Sequence, residues 1–325
     1  MIKRIVEISQ QPARLTVHLG QLRIEPLCLR KSDLPADASP SAASSPCIPC
    51  EDLGIVIVDH PQVSYSHPAL LGLLEHGAVL VVCGRNHLPA GVLLPLSGHT
   101  EVVWRVHDQI RASLPTRKRL WQQIVKAKIN AQAQNLAPQS PPFRQLKIMA
   151  TQVRSGDSGH VEALAARVYW AHWLDSVTGE QRASRFGRDS KGTDLANSCL
   201  NYGYAVLRAA VGRALVSAGL FPALGIQHHN RSDAFALADD MMEPLRPLVD
   251  RRVRGLLFQN PTPDSLDRPV KQALLSVLSA TVRLERATGP LMVALHRMSA
   301  SLVDCLRGNR DALLIPGAAP ERHES

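Results

Sequence analysis

The chain has 325 residues, 45% of them hydrophobic, enough for about two domains with a real core, and it contains no run of 18 or more apolar residues, which excludes a membrane-spanning helix. Lys and Arg outnumber Asp and Glu by 37 to 28, a net charge of +9, so the expected partner is a polyanion, nucleic acid above all, with plain solubility as the alternative. Met1–Ile2–Lys3–Arg4 leads into Glu7 rather than into the apolar core of a signal peptide, so a cytoplasmic protein with no membrane partner is expected.

Residues 1–97 read as a small β-sheet domain. Arg14–Leu19, Gln21–Ile24, Gly54–Val58 and Ala78–Val82 are β-branched runs bounded by turn residues. Between the second and third, the stretch at about 32–49 is rich in Ser, Ala and Pro and is expected to be a mobile loop. Cys47 and Cys50 have C-x-x-C spacing, but a structural zinc site needs a second pair and the sequence offers none. Pro68–Gly77 is a short helix, with Pro near its start and Gly past its end.

From Thr100 the apolar spacing becomes helical. Trp104–Val106, Arg119–Leu136, Val161–Trp173, Leu200–Ala218, Phe235–Val249 and Val270–Thr288 carry the i, i+3, i+4 pattern, so residues 98–307 are expected to form a larger all-α domain. Gly219 and Pro222 end the helix that closes at Ala218. A flexible tail, residues 308–325, follows. The expected fold class is α+β.

The stretch Leu224–His229, followed ten residues later by Asp239–Asp240–Met241–Met242–Glu243, puts a histidine just ahead of a helix that gathers acids on one face. On a helix either aspartate projects beside Glu243, and crowded carboxylates repel unless a cation sits between them. The bland alternative is an acidic helix end in solvent, but Leu237, Ala238, Met241 and Met242 surround these acids. Burial there demands pairing or a metal. A second acid on a buried helix is Glu162, among Ala163, Ala165 and Ala166, with Asp157 or Ser158 as the cap. The simpler reading of Glu162 is that it only complements the helix dipole.

At this point the residues carry a resemblance. Gly156–Asp157 with Glu162–Ala163, Ala165–Ala166–Arg167 and Tyr169–Trp170, then Leu200–Asn201–Tyr202–Gly203–Tyr204–Ala205, then Gly219–Leu220, Pro222, Leu224–Gly225 and His228–His229–Asn230, then Phe235, Leu237 to Pro244 and Arg246–Pro247 resemble the CRISPR-associated protein 1 family, in a form similar to its type II branch. The likeness extends into the first domain through Ile48–Pro49, Glu51–Asp52 and Leu88–Pro89, Gly91, Leu93–Leu94–Pro95. It implies a β domain used for dimerisation and partner binding, an α-helical catalytic domain, a homodimer, and assembly with a small ferredoxin-like CRISPR adaptation partner. The implied function is a metal-dependent DNA endonuclease and integrase that inserts short foreign duplexes, spacers, into a CRISPR array. The catalytic metal ligands map onto Glu162, His228 and Glu243, with the acid Asp240 nearby as a fourth residue. Two departures stand out: His160 where the family commonly has Asn, and the Pro/Ser content of the 32–49 loop.

Integration is transesterification at phosphorus, and two carboxylates and an imidazole around Mg²⁺ or Mn²⁺ suit it, the nitrogen favouring Mn²⁺. Asp240 could orient His228, complete the shell or bind water. Double-stranded DNA would be met by basic residues, with Arg117, Lys118, Arg119, Arg251, Arg252 and Arg254 first, and Lys126, Lys128, Arg182, Arg185 and Arg188 also available; the alternative is a solvated face. Aromatic residues are 4% of the chain, too few for extended base stacking, and Tyr202, Tyr204, Trp170 and Trp173 read as packing residues. Two rival readings are a non-catalytic nucleic-acid-binding scaffold, and a metal-dependent phosphohydrolase suggested by His107–Asp108, which has no spaced partner set.

Overall fold

The computed structural model describes residues 3–27, 46–96, 99–175, 186–259 and 263–319. Residues 32–45 of the expected loop, Arg182, Arg185 and the last six residues of the tail lie outside the described residues. The chain forms two compact units, Met1–Gly98 and His99–Ser325.

Among its described residues the first unit holds eight strands, β1 Arg4–Ile8, β2 Ala13–His18, β3 Gln21–Pro26, β4 Cys47–Pro49, β5 Leu53–Val58, β6 Val63–Tyr65, β7 Val79–Cys83 and β8 Pro89–Leu93, and one α-helix, α1 His67–Glu75. They make two four-stranded sheets, ordered β1-β5-β7-β8 and β4-β3-β2-β6. β5 pairs in parallel with β1 and β7, and all six of its residues are buried, as a strand covered on both faces requires. Leu15 and Leu22 from one sheet, Val56, Val58 and Leu80 from the other, and Leu73 of α1 share one core. Leu19 and Gly20, with φ of 49° and 72°, make the two-residue turn between β2 and β3, so Leu19 is a turn residue rather than a strand residue. The expected loop needs a correction at its end. Cys47–Pro49 pairs with β3, exposing Cys47 and burying Cys50 in the core, so the two cysteines share no site.

The second unit is helical: α2 Val102–Arg111, α3 Leu114–Gln134, α4 Pro141–Gln152, α5 Val161–His172, α6 Leu195–Ser217, α7 Ala236–Met242, α8 Arg246–Leu257, α9 Arg268–Leu275 and α10 Leu291–Leu306. Ser113, Ser140, Asp194 and Asp267 cap α3, α4, α6 and α9 by accepting a backbone N–H three residues on. α6 is buried on nearly every side and ends as the sequence implies. Gly219 (φ 74°) donates to the Val216 carbonyl and Leu220 to that of Leu215, closing the helix so that the chain turns toward His228.

Two expectations are corrected here. Val270–Thr288 is not one helix: α9 ends at Leu275, and β9 Thr281–Leu284 and β10 Ala287–Pro290 form a hairpin. Residues of the tail are also anchored. β11, Gly317–Ala318, pairs with β9, Leu313 is buried, and Gln123 on α3 donates to the Asp311 carbonyl while accepting from Leu313 N–H. Among the described residues no helix is long and apolar enough to cross a membrane.

Candidate metal centre

α3 is the floor of the candidate site. It packs against the Ser155–Asp157 turn, α5, α7, α8 and the Glu243–Leu245 turn, so one face of it meets each segment that carries a candidate acid. Trp121 at the start of that face meets the His228 ring edge-on, the centroids 5.4 Å apart.

Glu162 is placed by a cap. Asp157, buried and with φ of 49°, accepts from the backbone N–H groups of Val161 (3.0 Å) and Glu162 (3.1 Å) and so fixes the first turn of α5. Of the two caps the sequence allowed, the aspartate is the one used. His160 just ahead of α5 has φ of 50°, a left-handed conformation that Asn tolerates better than most residues, so the familial Asn suits the backbone here.

Glu243 lies where Pro244 cannot continue the α-helical bonding, and the backbone tightens into a 3-10 turn before α8. The three acids of this segment then diverge, against the expectation that an aspartate projects beside Glu243. Asp239 pairs with Arg208 (2.7 Å). Asp240, fully buried, accepts from the backbone N–H groups of Ile226 (2.6 Å) and Gln227 (2.8 Å) through Oδ2 and meets His228 Nδ1 at 2.5 Å through Oδ1. Glu243 keeps Arg246 on Oε1 at 3.0 Å. Gly225 makes the His228 loop possible, since a Cβ there would come within 2.2 Å of the His228 carbonyl oxygen.

The two carboxylates meet on a single nitrogen. Lys128 Nζ, from the middle of α3, lies 2.6 Å from Glu162 Oε1 and also pairs with Glu243 Oε2. Burial works to lower the Lys128 pKa, but the Glu243 and Glu162 charges outweigh it and raise it. Burial likewise pushes the Glu243 carboxyl up, and the Lys128 ammonium and Arg246 guanidinium overcome this and hold it below its ordinary value. The His228 pKa is raised, first by its hydrogen bond to Asp240 against the opposing effect of burial, with smaller contributions from the charges of Asp240, Glu243 and Glu162. The imidazole thus lies within the field of both glutamates. It is 52% exposed, with Nδ1 taken by Asp240 and Nε2 left to a ligand.

This donor set fits a hard divalent ion in its chemistry: two carboxylates that already require a cation, and one imidazole held in register by a third acid. As the side chains stand, no three acidic, imidazole or thiolate groups among the described residues come together closely enough to hold an ion. Lys128 stands between them.

A buried network backs the acids. Arg246 lies over the Tyr204 ring, 4.9 Å from its centroid. Tyr204 and Tyr169 both donate to Asp250, Tyr169 at 2.9 Å, and Asn135 donates to the Tyr169 hydroxyl at 3.0 Å. Burial, partly offset by those two hydroxyls and the Arg246 charge, pushes the Asp250 carboxyl up to about 6.

A profile described as "CRISPR associated protein Cas1" matches residues 39–276. The chain belongs to the CRISPR-associated Cas1 family. It is 36% identical over 256 residues to the "CRISPR-associated endonuclease Cas1" of Neisseria meningitidis serogroup C (strain 8013), covering 78% of this chain and 81% of that one. In fold it is similar to a "Casposase bound to integration product", with a TM-score of 0.78 at 18% identity over 99% of this chain and 96% of that one. It is also similar to a chain of a "Cas6-RT-Cas1--Cas2 complex", with a TM-score of 0.71 at 18% identity over 97% of this chain and 36% of the longer one. The α+β fold is therefore that of the Cas1 family.

Within this Cas1 chain, the six cations put forward for DNA are placed unequally. Arg251 donates to Asn135 Oδ1 and the Gln134 carbonyl, and Arg254 to the carbonyls of Asn135 and Trp173. These two guanidiniums close the C-terminus of α3. Arg252 holds the Ala273 carbonyl, Arg117 those of Gln109 and Ile110, and Arg119 pairs with Asp311. Lys118 is exposed and lies over Gly156, ahead of the Glu162 helix. The His107–Asp108 alternative has no support in the structure, because Asp108 is paired with Arg307 at 2.8 Å and His107 is exposed. Lys128, grouped by sequence with the phosphate-facing cations, is instead the centre of the acid cluster. Its position four residues after Ile124 and seven after Trp121, on the apolar stripe of α3, was the signal for this.

Proposed function

We propose that this chain is a divalent-metal-dependent DNA endonuclease and integrase that inserts short duplexes into a CRISPR array by transesterification. It would work as a homodimer formed through its N-terminal unit, with a small ferredoxin-like partner of the Cas2 kind. The observation that carries the reading is the pair of carboxylates from separate segments, Glu162 and Glu243, held on one cation beside a histidine that Asp240 orients. Membership of the Cas1 family, an endonuclease among the curated relatives, and the fold likeness to a casposase and to a Cas1–Cas2 assembly support it.

In this reading Glu162, Glu243 and His228 would hold Mg²⁺ or Mn²⁺, which would supply charge neutralisation at the phosphoryl group and favour attack by a 3′-hydroxyl. Asp240 serves as a positioning residue, since both its oxygens are engaged with His228 and the loop amides; it fixes the tautomer that leaves Nε2 free. Arg246 holds the second oxygen of Glu243 and so fixes which oxygen faces the reaction. Exposed cations near the acids, Arg154, Arg167 and Arg231 by sequence and Lys118 by its place over Gly156, are better placed for duplex phosphates than the arginines that hold carbonyls.

The test is strand joining between a short duplex with free 3′-ends and a repeat-containing target, with the small partner present. Joining is expected with Mn²⁺ or Mg²⁺, lost with chelator, and lost in Glu162→Gln with duplex affinity retained. Joining by Glu162→Gln at the parent rate sinks the integrase reading. Tight duplex binding with no turnover under any metal condition would instead favour the scaffold.

A further inference from the structure

The acid cluster already contains a cation of the protein's own. Lys128 Nζ contacts the Glu162 and Glu243 oxygens together, and its side chain is only 14% exposed. Glu243 offers no free alternative, because its other oxygen is held by Arg246 at 3.0 Å. A divalent ion forms ligand bonds of about 2.0–2.2 Å to such oxygens. The ammonium, at hydrogen-bond distance from the same atoms, leaves no room for it and repels it.

We infer that Lys128 is a place-holder for the metal: it neutralises the paired carboxylates in the metal-free protein and must leave when a divalent ion enters, so that loading is an exchange of one cation for another. This rests on the metal-site reading above. The exchange accounts for two carboxylates from separate segments meeting on one buried ammonium. It predicts that removing the lysine weakens the metal-free protein yet strengthens metal uptake. A lysine that merely braced the ligands would have the opposite effect on uptake, since its loss would loosen them.

The decisive measurement is Mn²⁺ uptake by the full-length protein, followed by the loss of the free-ion EPR signal, in the parent, Lys128→Met, Lys128→Arg and Glu243→Gln, with thermal melts of each protein with and without Mn²⁺. Parent uptake is expected to disappear in Glu243→Gln. Lys128→Met is expected to bind Mn²⁺ about tenfold or more tightly than the parent, as removal of a like charge beside the ion requires, to melt lower without metal, and to gain more from Mn²⁺. Lys128→Arg, which keeps the charge, is expected to bind no more tightly than the parent. Equal or weaker uptake by Lys128→Met, with parent uptake intact, overturns the place-holder role. If neither the parent nor Lys128→Met shows Glu243-dependent uptake, the metal-site reading has failed. Should Lys128→Met not fold, the parent alone decides. Acylation of the Lys128 amine by a water-soluble reagent, read by peptide mass spectrometry, is expected to rise several-fold on adding Mn²⁺ in the parent but not in Glu243→Gln. Unchanged protection overturns the exchange.

Discussion

Between β1 and β8 the interior is aliphatic: Leu15, Leu22, Leu53, Ile55 and Ile57 are fully buried, and Asp59 is the buried charged group among the described residues there. In the helical unit Asp240, Glu243, Asp250, Arg213 and Lys271 are buried as well, among Tyr169, Tyr202 and Trp173. The first core is stabilised by area removed from water, which neither pH nor salt alters much. The second includes paired charges whose desolvation roughly cancels their attraction. Such pairs add little to stability but hold chemically useful groups in place.

The widest separation of the two regions comes from Glu243→Ala set against Leu15→Ala. Glu243→Ala should lower joining by about 10³-fold or more, the scale of losing a preorganised electrostatic contact to the reacting group. It should also destabilise the protein by about 3–5 kcal/mol, because Lys128 and Arg246 lose their counter-charge. Leu15→Ala should cost about 2–5 kcal/mol in urea unfolding and leave Mn²⁺ uptake unchanged. Equal effects of the two on Mn²⁺ uptake would erase the distinction.

Asp250→Asn sharpens the comparison through pH. A carboxyl raised from 3.8 to about 6 in the folded state is protonated there while the unfolded chain is ionised. Its contribution is therefore greatest below the unfolded value and is lost as pH rises toward 6, by about 3 kcal/mol in all. The parent minus Asp250→Asn stability, from urea melts at pH 4.5, 5.5 and 6.5, should fall across that window. A flat difference would mean that the Tyr169 and Tyr204 hydroxyls stabilise the ionised form as well as water does. The aliphatic core supplies no such slope, so Leu15→Ala should shift all three melts equally.

Asp240→Asn comes next. The amide keeps the shape but can no longer accept from both the imidazole and the loop amides. Joining should fall about 10–100-fold, the usual cost of removing a ligand's orienting partner, with a stability loss of about 1–3 kcal/mol from the buried donor left without an acceptor. Loss as complete as in Glu243→Ala would make Asp240 a ligand rather than a positioning residue.

Much of this was legible in the sequence where a residue's chemistry and its spacing agree. Glu162, His228 and Glu243 stand in ordered motifs, and α6 ends at Gly219 as its composition says. The β9–β10 hairpin was not legible. Leu274, Leu275, Leu278 and Val282 happen to continue a helical spacing, and the turn is made by Glu285 at φ 56°, without the Gly or Asn that normally announces it. Lys128 was misread because charge was given more weight than position. On the apolar stripe of α3 a lysine must find carboxylates, and the acids it finds lie 34 and 115 positions away in sequence. Arg251 and Arg254 have amide and carbonyl oxygens at the end of α3 as partners, which no charge pattern shows.

The smallest effect concerns those arginines and duplex affinity. Replacing Arg251, Arg252 and Arg254 with Ala removes donors from the Gln134, Asn135, Trp173 and Ala273 carbonyls. Each should cost about 1–3 kcal/mol of stability, as hydrogen bonds from charged groups do, and the dependence of log affinity on log salt should keep its slope. Lys118→Ala and Arg154→Ala should behave in reverse, leaving the melts in place, weakening duplex binding only a few-fold, and reducing the slope by about 0.9 for each lost phosphate contact. Both sets belong in the same buffer series, from low to moderate salt, with binding read by fluorescence anisotropy of a labelled duplex. A flattened slope in the arginine variants with unchanged melts would return those residues to the DNA. An unchanged slope in the Lys118 and Arg154 variants would move the phosphate track away from the Glu162 helix.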